Sequence, residues 1–220
     1  MTLKASVMDL EILWVGGQNI IFKQNSLIFQ TYRFRDVMIK NKQRKNRMKN
    51  IYLIGGAMGV GKTTVCQRLK SKLNNSVFLD GDWCWDAHPF RATEETKQMV
   101  MQNICFLLNQ FIHCSAYDNI IFCWVMHEQS IIDNIIKNID STKCDIKPIS
   151  LICSPETLRT RLECDVAKGL RTADVVERSI NRLPLYAELN TQKFDTDDTS
   201  IDDIADMIIE ACMGTDKHEQ

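Results

Sequence analysis

The chain has 220 residues, of which 45% are hydrophobic, and its 27 basic side chains nearly balance its 28 acidic ones. This composition allows one substantial core and excludes both the strong basic field of a general nucleic-acid binder and the acidic balance of a solvating tail. The nine cysteines include no CxxC pair, which argues against a disulfide framework or a zinc site and favours reduced thiols in a cytoplasmic protein.

Residues 1–47 differ in pattern from the rest of the chain. Residues 11–34 predict two or three short strands, with Gly16-Gly17 and Gln24-Asn25 as turns. A basic run from Lys40 to Lys49 follows. Because no aromatic side chains are interleaved with the basic ones, the run favours a solvated linker over an arm that binds nucleic acid or a membrane.

The predicted domain boundary lies at Met48. We expect residues 1–47 to be an N-terminal extension or linker, and residues 48–220 to form one domain. Since an apolar strand follows Met48 at once, a further hypothesis is that Met48 is the natural start of the protein. No uninterrupted apolar stretch approaches the ~20 residues that a membrane span needs, and Asp9 and Glu11 do not suit a signal peptide.

After Met48 the predicted strands and helices alternate. Apolar runs predict five strands, at residues 51–54, 77–80, 119–126, 149–153 and 193–195. Helical patterns occupy residues 61–73 and 93–113, a stretch from Ser154 to about Lys168, a stretch that starts at the capping-box spacing of Asp174 and Glu177, and a last stretch from Ser200. This alternation predicts an α/β fold with a five-stranded parallel sheet and helices on both faces.

The stretch after the first of these strands carries the clearest chemical signal. Residues 56–63 read GAMGVGKT and match G-x-x-x-x-G-K-[ST] between a strand and a helix, the context that a phosphate-binding loop (P-loop) requires. Glycines permit positive φ angles, so successive N–H groups can surround a β-phosphate beside the positive end of the helix. The predicted nucleotide-binding residues are Gly56, Ala57, Met58, Gly59, Val60, Gly61, Lys62, Thr63 and Thr64.

Three of these side chains have predicted roles. We expect Lys62 to reach the β and γ oxygens of the nucleotide, Thr63 to ligate Mg²⁺, and Thr64 to lie near the α-phosphate. The absence of an N-K-x-D motif argues against a GTPase, and the absence of L-S-G-G-Q argues against a transporter ATPase.

Three further segments resemble known kinases. They read LDGDWCWDAHP at residues 79–89, SPETLRTRLECDVAKGLRTADVVERSINRLPLY at residues 154–186, and FDTDDTS at residues 194–200. Together with the P-loop, they resemble the small P-loop kinases, such as adenylate, shikimate and gluconate kinases and chloramphenicol phosphotransferase. The resemblance extends from Lys49 to the C-terminus and implies the P-loop NTPase fold with a small helical lid. Sequences with the segment FLDGDWCWD also look like those called nucleotide kinases.

The resemblance implies roles for the acidic pair that follows the second predicted strand. Asp80 would hold Mg²⁺ through water, and Asp82 would orient or deprotonate the acceptor hydroxyl, which needs a base within hydrogen-bond reach. The predicted acceptor side also includes Trp83, Trp85 and His88. Gluconate kinases carry LHP close behind their acidic element, whereas here the His-Pro pair lies three residues further along, which argues against gluconate as the acceptor.

The other implied site residues lie further along the chain. After the third strand, Glu128 would join the magnesium shell and His127 would contact the acceptor, while Trp124 is expected in the core. In the lid, Arg161 and Arg171 are the preferred catalytic arginines, with a hinge at Gly169. Residues 195–197 would line the adenine.

These features predict an ATP-dependent phosphotransferase that uses ATP and Mg²⁺. Its acceptor would be a hydroxyl or phosphate of a small molecule. Trp83 and Trp85 could stack on a base, which favours a nucleoside or nucleotide, while a sugar acid or an antibiotic are alternatives. The rival hypothesis is a non-catalytic or regulatory nucleotide-binding module. We expect a monomer or homodimer that binds neither nucleic acid nor a membrane.

Overall fold

The computed structural model describes three strands within residues 5–23 and the continuous stretch from residue 48 to residue 213. The chain divides into two compact units, Met1–Arg47 and Met48–Gln220, and each is described by itself. The role of the first unit as an extension or linker stays a prediction.

The first unit contains a three-stranded antiparallel sheet. Its strands are β1 (Ala5–Val7), β2 (Leu10–Val15) and β3 (Gln18–Lys23), in that order across the sheet. Strands were expected only from residue 11 onward, so β1 was missed. The two predicted turns, at Gly16-Gly17 and Gln24-Asn25, lie outside the described residues, as does the basic run up to Arg47.

The second unit contains a five-stranded parallel sheet, as predicted. The strands lie in the order β5-β6-β4-β7-β8, with β4 at the centre. Their bounds are β4 (Lys49–Gly56), β5 (Ser76–Asp80), β6 (Asn119–Cys123), β7 (Cys144–Ile152) and β8 (Gln192–Asp195). Strand β6 is shorter than expected and ends at Cys123.

Strand β7 begins five residues before its predicted start. Its first half was not predicted because it contains Lys147 and Pro148, which interrupt the apolar pattern. A proline in a strand is tolerated where its missing N–H is not needed by a neighbouring strand. Pairing between β7 and β8 starts only at Ile149, so Pro148 has β4 on one side and no β8 residue on the other.

Seven helices accompany this sheet within residues 48–213. They are α1 (Lys62–Lys72), α2 (Glu94–His113), α3 (Gln129–Asn138), α4 (Pro155–Ala167), α5 (Asp174–Ile180), α6 (Leu183–Ala187) and α7 (Ile201–Met213). Helix α3 was missed, although isoleucines 131, 132, 135 and 136 recur at helical spacing. Among the described helices, none has the length and apolar content that crossing a bilayer would require.

Two helix caps were predicted from the sequence, and the structure contains one of them. The Ser154 hydroxyl accepts a hydrogen bond from the Thr157 N–H at 3.2 Å, and Pro155 occupies the first turn of α4, as expected. At α5, however, Asp174 is the first helical residue and does not cap it. Its carboxylate instead accepts a hydrogen bond from the Thr172 hydroxyl, two residues earlier.

Helices cover both faces of the sheet, because successive residues of β4 point to opposite sides. Ile51 and Leu53 join the larger apolar cluster, which includes residues of helices α2 to α6. Tyr52 and Ile54 join the other cluster, which includes residues of α1 and α7. The two layers hold β4 between them, so its carboxyl end and the loop that follows have a rigid base.

The basic run predicted that Lys49 belongs to a solvated linker, and this prediction was wrong. Lys49 is the first residue of β4, and only 7% of its surface is exposed. Its ammonium donates hydrogen bonds to the carbonyl oxygens of Phe111 at 3.3 Å and Cys114 at 2.5 Å, at the end of α2. Burial lowers the pKa of Lys49, against the opposing effect of nearby Cys114 and Asp118. The side chain caps a helix terminus.

Replacing Lys49 with methionine is expected to lower the free energy of unfolding by about 1–3 kcal/mol, because two partly buried carbonyl groups lose their charged donor. Urea unfolding followed by circular dichroism would measure the change. Lys97→Met in α2, the helix whose end Lys49 bonds, is the matched control: Lys97 is exposed and pairs with Glu94 on the surface, so the loss should stay below about 1 kcal/mol. Equal losses in the two variants would contradict the capping role.

Candidate active site

Five of the predicted site segments follow strand ends at one edge of the sheet. The P-loop follows β4, the acidic pair follows β5, and the segment with His127 and Glu128 follows β6. Helix α4 begins after β7, and the loop predicted to line the adenine follows β8. Parallel strands present their carboxyl ends at the same edge, which is where open α/β sheets bind ligands.

The P-loop leads from β4 into α1 through two glycines with positive φ. Gly59 has φ +85° and Gly61 has φ +104°, a region that residues with a side chain rarely adopt. Gly61 is the N-cap of α1, and its carbonyl accepts the N–H of Val65 at 3.0 Å. Ala57 and Val60 are buried against the core. The loop therefore presents mainly its backbone to the edge of the sheet.

The Lys62 ammonium lies against the loop that contains it. Its Nζ donates hydrogen bonds to the carbonyl oxygens of Gly56 at 2.9 Å and Ala57 at 3.0 Å. Burial lowers the pKa of Lys62, while Asp82 and Asp80 act in the opposite direction. The site thus holds a desolvated cation beside two carboxyl groups.

Asp80 accepts hydrogen bonds both from the P-loop and from Asp82. The Thr63 hydroxyl donates to Asp80 Oδ2 at 2.8 Å, and the Asp82 N–H donates to Asp80 Oδ1 at 3.1 Å. Asp80 is buried, whereas Asp82 is exposed at the start of a 3-10 turn, Gly81–Cys84. The two carboxylates therefore have different surroundings although they are two residues apart.

Thr63 and Asp80 fit the predicted magnesium site. A hydroxyl and a carboxylate within hydrogen-bond distance of each other are hard oxygen ligands, and Mg²⁺ in nucleotide sites is bound by few protein oxygens together with waters and substrate phosphates. Glu128 has different contacts: it lies 3.5 Å from His127 Nε2, and it accepts a hydrogen bond from the Ser130 hydroxyl at 3.4 Å. Its magnesium role stays a prediction.

Trp124 packs against the core but, contrary to expectation, is not buried inside it. It follows the last residue of β6 and is only partly buried. Its indole N–H donates to Asp82 Oδ1 at 3.1 Å. The sequence offered no signal for this contact, because the two residues are 42 positions apart and meet only where neighbouring strands end side by side.

Several aromatic side chains lie in the segment that follows the exposed acid. Trp85 makes edge-to-face contacts with Phe90, at 4.8 Å between ring centroids, and with Trp124, at 5.9 Å. Trp83 packs on Phe78 at 5.3 Å but keeps 57% of its surface exposed, and Phe90 keeps 58%. His88, in the same loop, is also exposed. This loop presents apolar rings to solvent beside Asp82.

His127 has a buried ring nitrogen with no partner. Its Nδ1 makes no hydrogen bond among the described residues, and its Nε2 lies 3.5 Å from Glu128 Oε1. The side chain lies between the end of β6 and the start of α3. Contact with an acceptor stays a prediction for His127.

Arg161 connects the P-loop with the loop after β8. Its guanidinium donates to the Thr196 hydroxyl at 2.9 Å and to the Thr196 carbonyl at 2.7 Å, with a longer contact of 3.4 Å to the Val60 carbonyl. In the same loop, Asp197 Oδ2 accepts the Ser154 N–H at 2.8 Å. Arg161 therefore lies in the body of α4, where it connects two loops of the candidate nucleotide side.

Arg171 lies in the short segment between α4 and α5 that corresponds to the predicted lid. Its Nε donates to Asp165 Oδ2 at 3.1 Å. The positive φ of Gly169, +69°, has a local explanation, because the N–H groups of Gly169 and Leu170 bond the carbonyls of Val166 and Asp165. This is the Schellman pattern that ends a helix. A hinge at Gly169 stays a prediction, as does the catalytic role of Arg171.

Comparisons with solved structures agree with this fold. The tunicamycin resistance protein of Deinococcus radiodurans matches with a TM-score of 0.58 and 20% identity, over 76% of this chain and 96% of that chain. A gluconokinase from Sinorhizobium meliloti 1021 matches with a TM-score of 0.55 and 14% identity, over 78% and 99%. The shikimate kinase of Acinetobacter baumannii, in complex with shikimate, matches with a TM-score of 0.51 and 20% identity, over 81% and 99%. At these identities the likeness shows a shared fold.

The chain was also compared with curated proteins and with protein-family models. No curated protein matches the chain at a significant level. A family model of the AAA domain matches residues 53–177, which is more than half of the chain and includes the P-loop, the acidic pair and α4. The chain therefore belongs to the AAA domain family, and its fold is that of the P-loop small-molecule kinases, as the sequence motifs predicted.

Proposed function

We propose that this chain is an ATP-dependent phosphotransferase that moves the γ-phosphoryl group of ATP to a hydroxyl group of a small molecule, with a nucleoside as the first candidate acceptor. The observation that carries the proposal is the hydrogen-bonded series from Thr63 through Asp80 to Asp82. It connects the loop that would hold the polyphosphate to an exposed carboxylate that the Trp124 indole contacts.

The nucleotide side has the groups that phosphoryl transfer needs. The backbone of residues 56–61 and the N-terminus of α1 would receive the β-phosphate. The ammonium of Lys62, which bonds the carbonyls of Gly56 and Ala57, would turn toward the phosphate oxygens and offset their charge. Thr63 and Asp80 would hold Mg²⁺, which supplies further charge neutralisation when bound.

The acceptor side favours a hydroxyl over a phosphate group. Asp82 is exposed and lies two residues from Asp80, so this region already holds two carboxyl groups. A phosphate monoester would bring a further negative charge toward them, which costs free energy at short range. A hydroxyl group, in contrast, can donate its proton to a carboxylate at hydrogen-bond distance and become the attacking oxygen.

The exposed rings next to Asp82 support an acceptor with a flat, apolar face. Trp83 and Phe90 expose more than half of their surfaces, and Trp85 lies between Phe90 and Trp124. A nucleobase can stack on such rings while its sugar hydroxyl reaches the carboxylate. Two of the structures with the same fold are named as kinases of small molecules, gluconokinase and shikimate kinase, which supports the same class of reaction.

The test measures ADP release from Mg-ATP in the presence of single candidate acceptors. The panel contains nucleosides, the matching nucleoside monophosphates, sugar acids, and aminoglycoside or phenicol alcohols. We expect ADP release that depends on a nucleoside, exceeds the release with the matching monophosphate, and yields a product heavier by one phosphoryl group in mass spectrometry. Removal of Mg²⁺ with a chelator should abolish the reaction.

Other outcomes would correct the proposal. ATP binding without ADP release over the whole panel would favour the non-catalytic or regulatory module. A preference for a sugar acid or an antibiotic would retain the phosphotransferase but replace its acceptor. A preference for nucleoside monophosphates would contradict the charge argument for a hydroxyl.

A further inference from the structure

We infer that Trp124 is a positioning residue that holds the Asp82 carboxylate on the acceptor side of the site. This inference rests on the proposed function and deepens it. It names a role for a residue that the family motifs do not include, and it explains why a glycine separates the two aspartates.

The two carboxylates of the acidic pair have different hydrogen-bond partners. Both oxygens of Asp80 are engaged, Oδ2 by the Thr63 hydroxyl and Oδ1 by the Asp82 N–H. Asp82 has its Oδ1 held at 3.1 Å by the indole N–H of Trp124, which comes from the neighbouring strand end. One carboxylate is therefore held by the P-loop, and the other is held by the residue that follows β6.

An exposed aspartate has several rotamers of similar energy. A rigid donor that selects one of them would hold the carboxylate where the acceptor hydroxyl binds, which favours catalysis. Trp124 is itself fixed by an edge-to-face contact with Trp85, at 5.9 Å between ring centroids. The indole can donate one hydrogen bond, so it leaves the other oxygen of Asp82 available to accept the proton of an acceptor hydroxyl.

Gly81 supplies an independent observation. A Cβ added to Gly81 would lie 2.6 Å from both Cδ1 and Cγ of Trp124, far inside van der Waals contact. The φ of Gly81 is not among the positive ones, so backbone freedom does not explain the glycine. Its missing side chain instead makes room for the indole, which must approach this closely to reach Asp82.

The first test is a double-mutant cycle on acceptor-dependent ADP release. Trp124→Phe keeps a ring but removes the donor, and it should lower kcat by about ten- to hundredfold, the range for a hydrogen bond to a charged group, with KM for ATP nearly unchanged. In an Asp82→Ala background the same change should have no further effect on kcat. Effects that multiply would overturn the inference, because independent contributions to the barrier add.

A second variant tests the same contact by adding a methyl group at Gly81, where the indole approaches the backbone. Gly81→Ala should displace the indole and reproduce the loss of kcat seen in Trp124→Phe. Its thermal melting would show whether the variant is folded. A folded Gly81→Ala protein with wild-type kcat would contradict the close approach that the inference needs.

The last test does not require turnover. In protein labelled with ¹⁵N-tryptophan, the Trp124 indole resonance is the one missing from Trp124→Phe, among the four tryptophans of the chain. Its hydrogen exchange should accelerate in Asp82→Ala and stay unchanged in the control Asp86→Ala, an exposed carboxylate in the same loop. Equal exchange in wild type and Asp82→Ala would overturn the inference. If the wild type has no acceptor-dependent activity, the proposed function fails, while the exchange data still decide whether Trp124 holds Asp82.

Discussion

Lys62→Ala is expected to lower kcat for phosphoryl transfer by at least about a hundredfold, the loss typical of removing one preorganised donor to the charge of a transition state. The protein should remain folded. Burial lowers the pKa of Lys62, so the charged form is disfavoured in the folded state, and the groups that its ammonium bonds are neutral carbonyl oxygens. Acceptor-dependent ADP release and thermal melting would measure the two effects.

The control for this change is Lys70→Ala, a lysine on the exposed side of the same helix. It should leave both kcat and the melting temperature close to the wild-type values, since surface substitutions usually change stability by less than about 0.5 kcal/mol. Near-normal turnover in Lys62→Ala would contradict the role of its ammonium, and the P-loop would then act through its backbone alone.

Asp82→Asn is expected to lower kcat by about a hundredfold or more, because general base catalysis contributes about 10²–10⁴-fold and an amide cannot accept the proton. Binding of Mg-ATP should change little, since the hydrogen bond of Asp82 to Asp80 comes from its backbone N–H, which the substitution retains. Isothermal titration with a non-hydrolysable ATP analogue would measure binding, and ADP release would measure turnover.

Asp80→Asn is the matched comparison, with the same chemical change two residues away. Asp80 accepts the Thr63 hydroxyl at 2.8 Å, so this variant should weaken the magnesium dependence of nucleotide binding as well as turnover. If Asp82→Asn loses nucleotide affinity to the same degree as Asp80→Asn, Asp82 belongs to the nucleotide side, and the division of roles between the two aspartates is wrong.

Local patterns were sufficient to predict the fold and the position of the P-loop. The P-loop is continuous in sequence, and the same eight residues supply its glycines, its lysine and its threonine, so the motif needs no distant partner. The alternation of apolar strands with helices predicted the parallel sheet for the same reason, because the side-chain period of each element is local. Helix α3, which was not predicted, is encoded locally as well, because its isoleucines recur at helical spacing.

The tertiary structure decided which side chains act together. Asp82 and Trp124 belong to different strand ends, and Arg161 meets Thr196 across 35 positions, so no spacing in the sequence predicts either contact. Lys49 illustrates the same point, because its position in a basic run suggested a solvated side chain, whereas the start of a central strand places it under the end of α2. Motifs within one segment can be read from the residues, but contacts between segments depend on strand order and register, which only the folded sheet establishes.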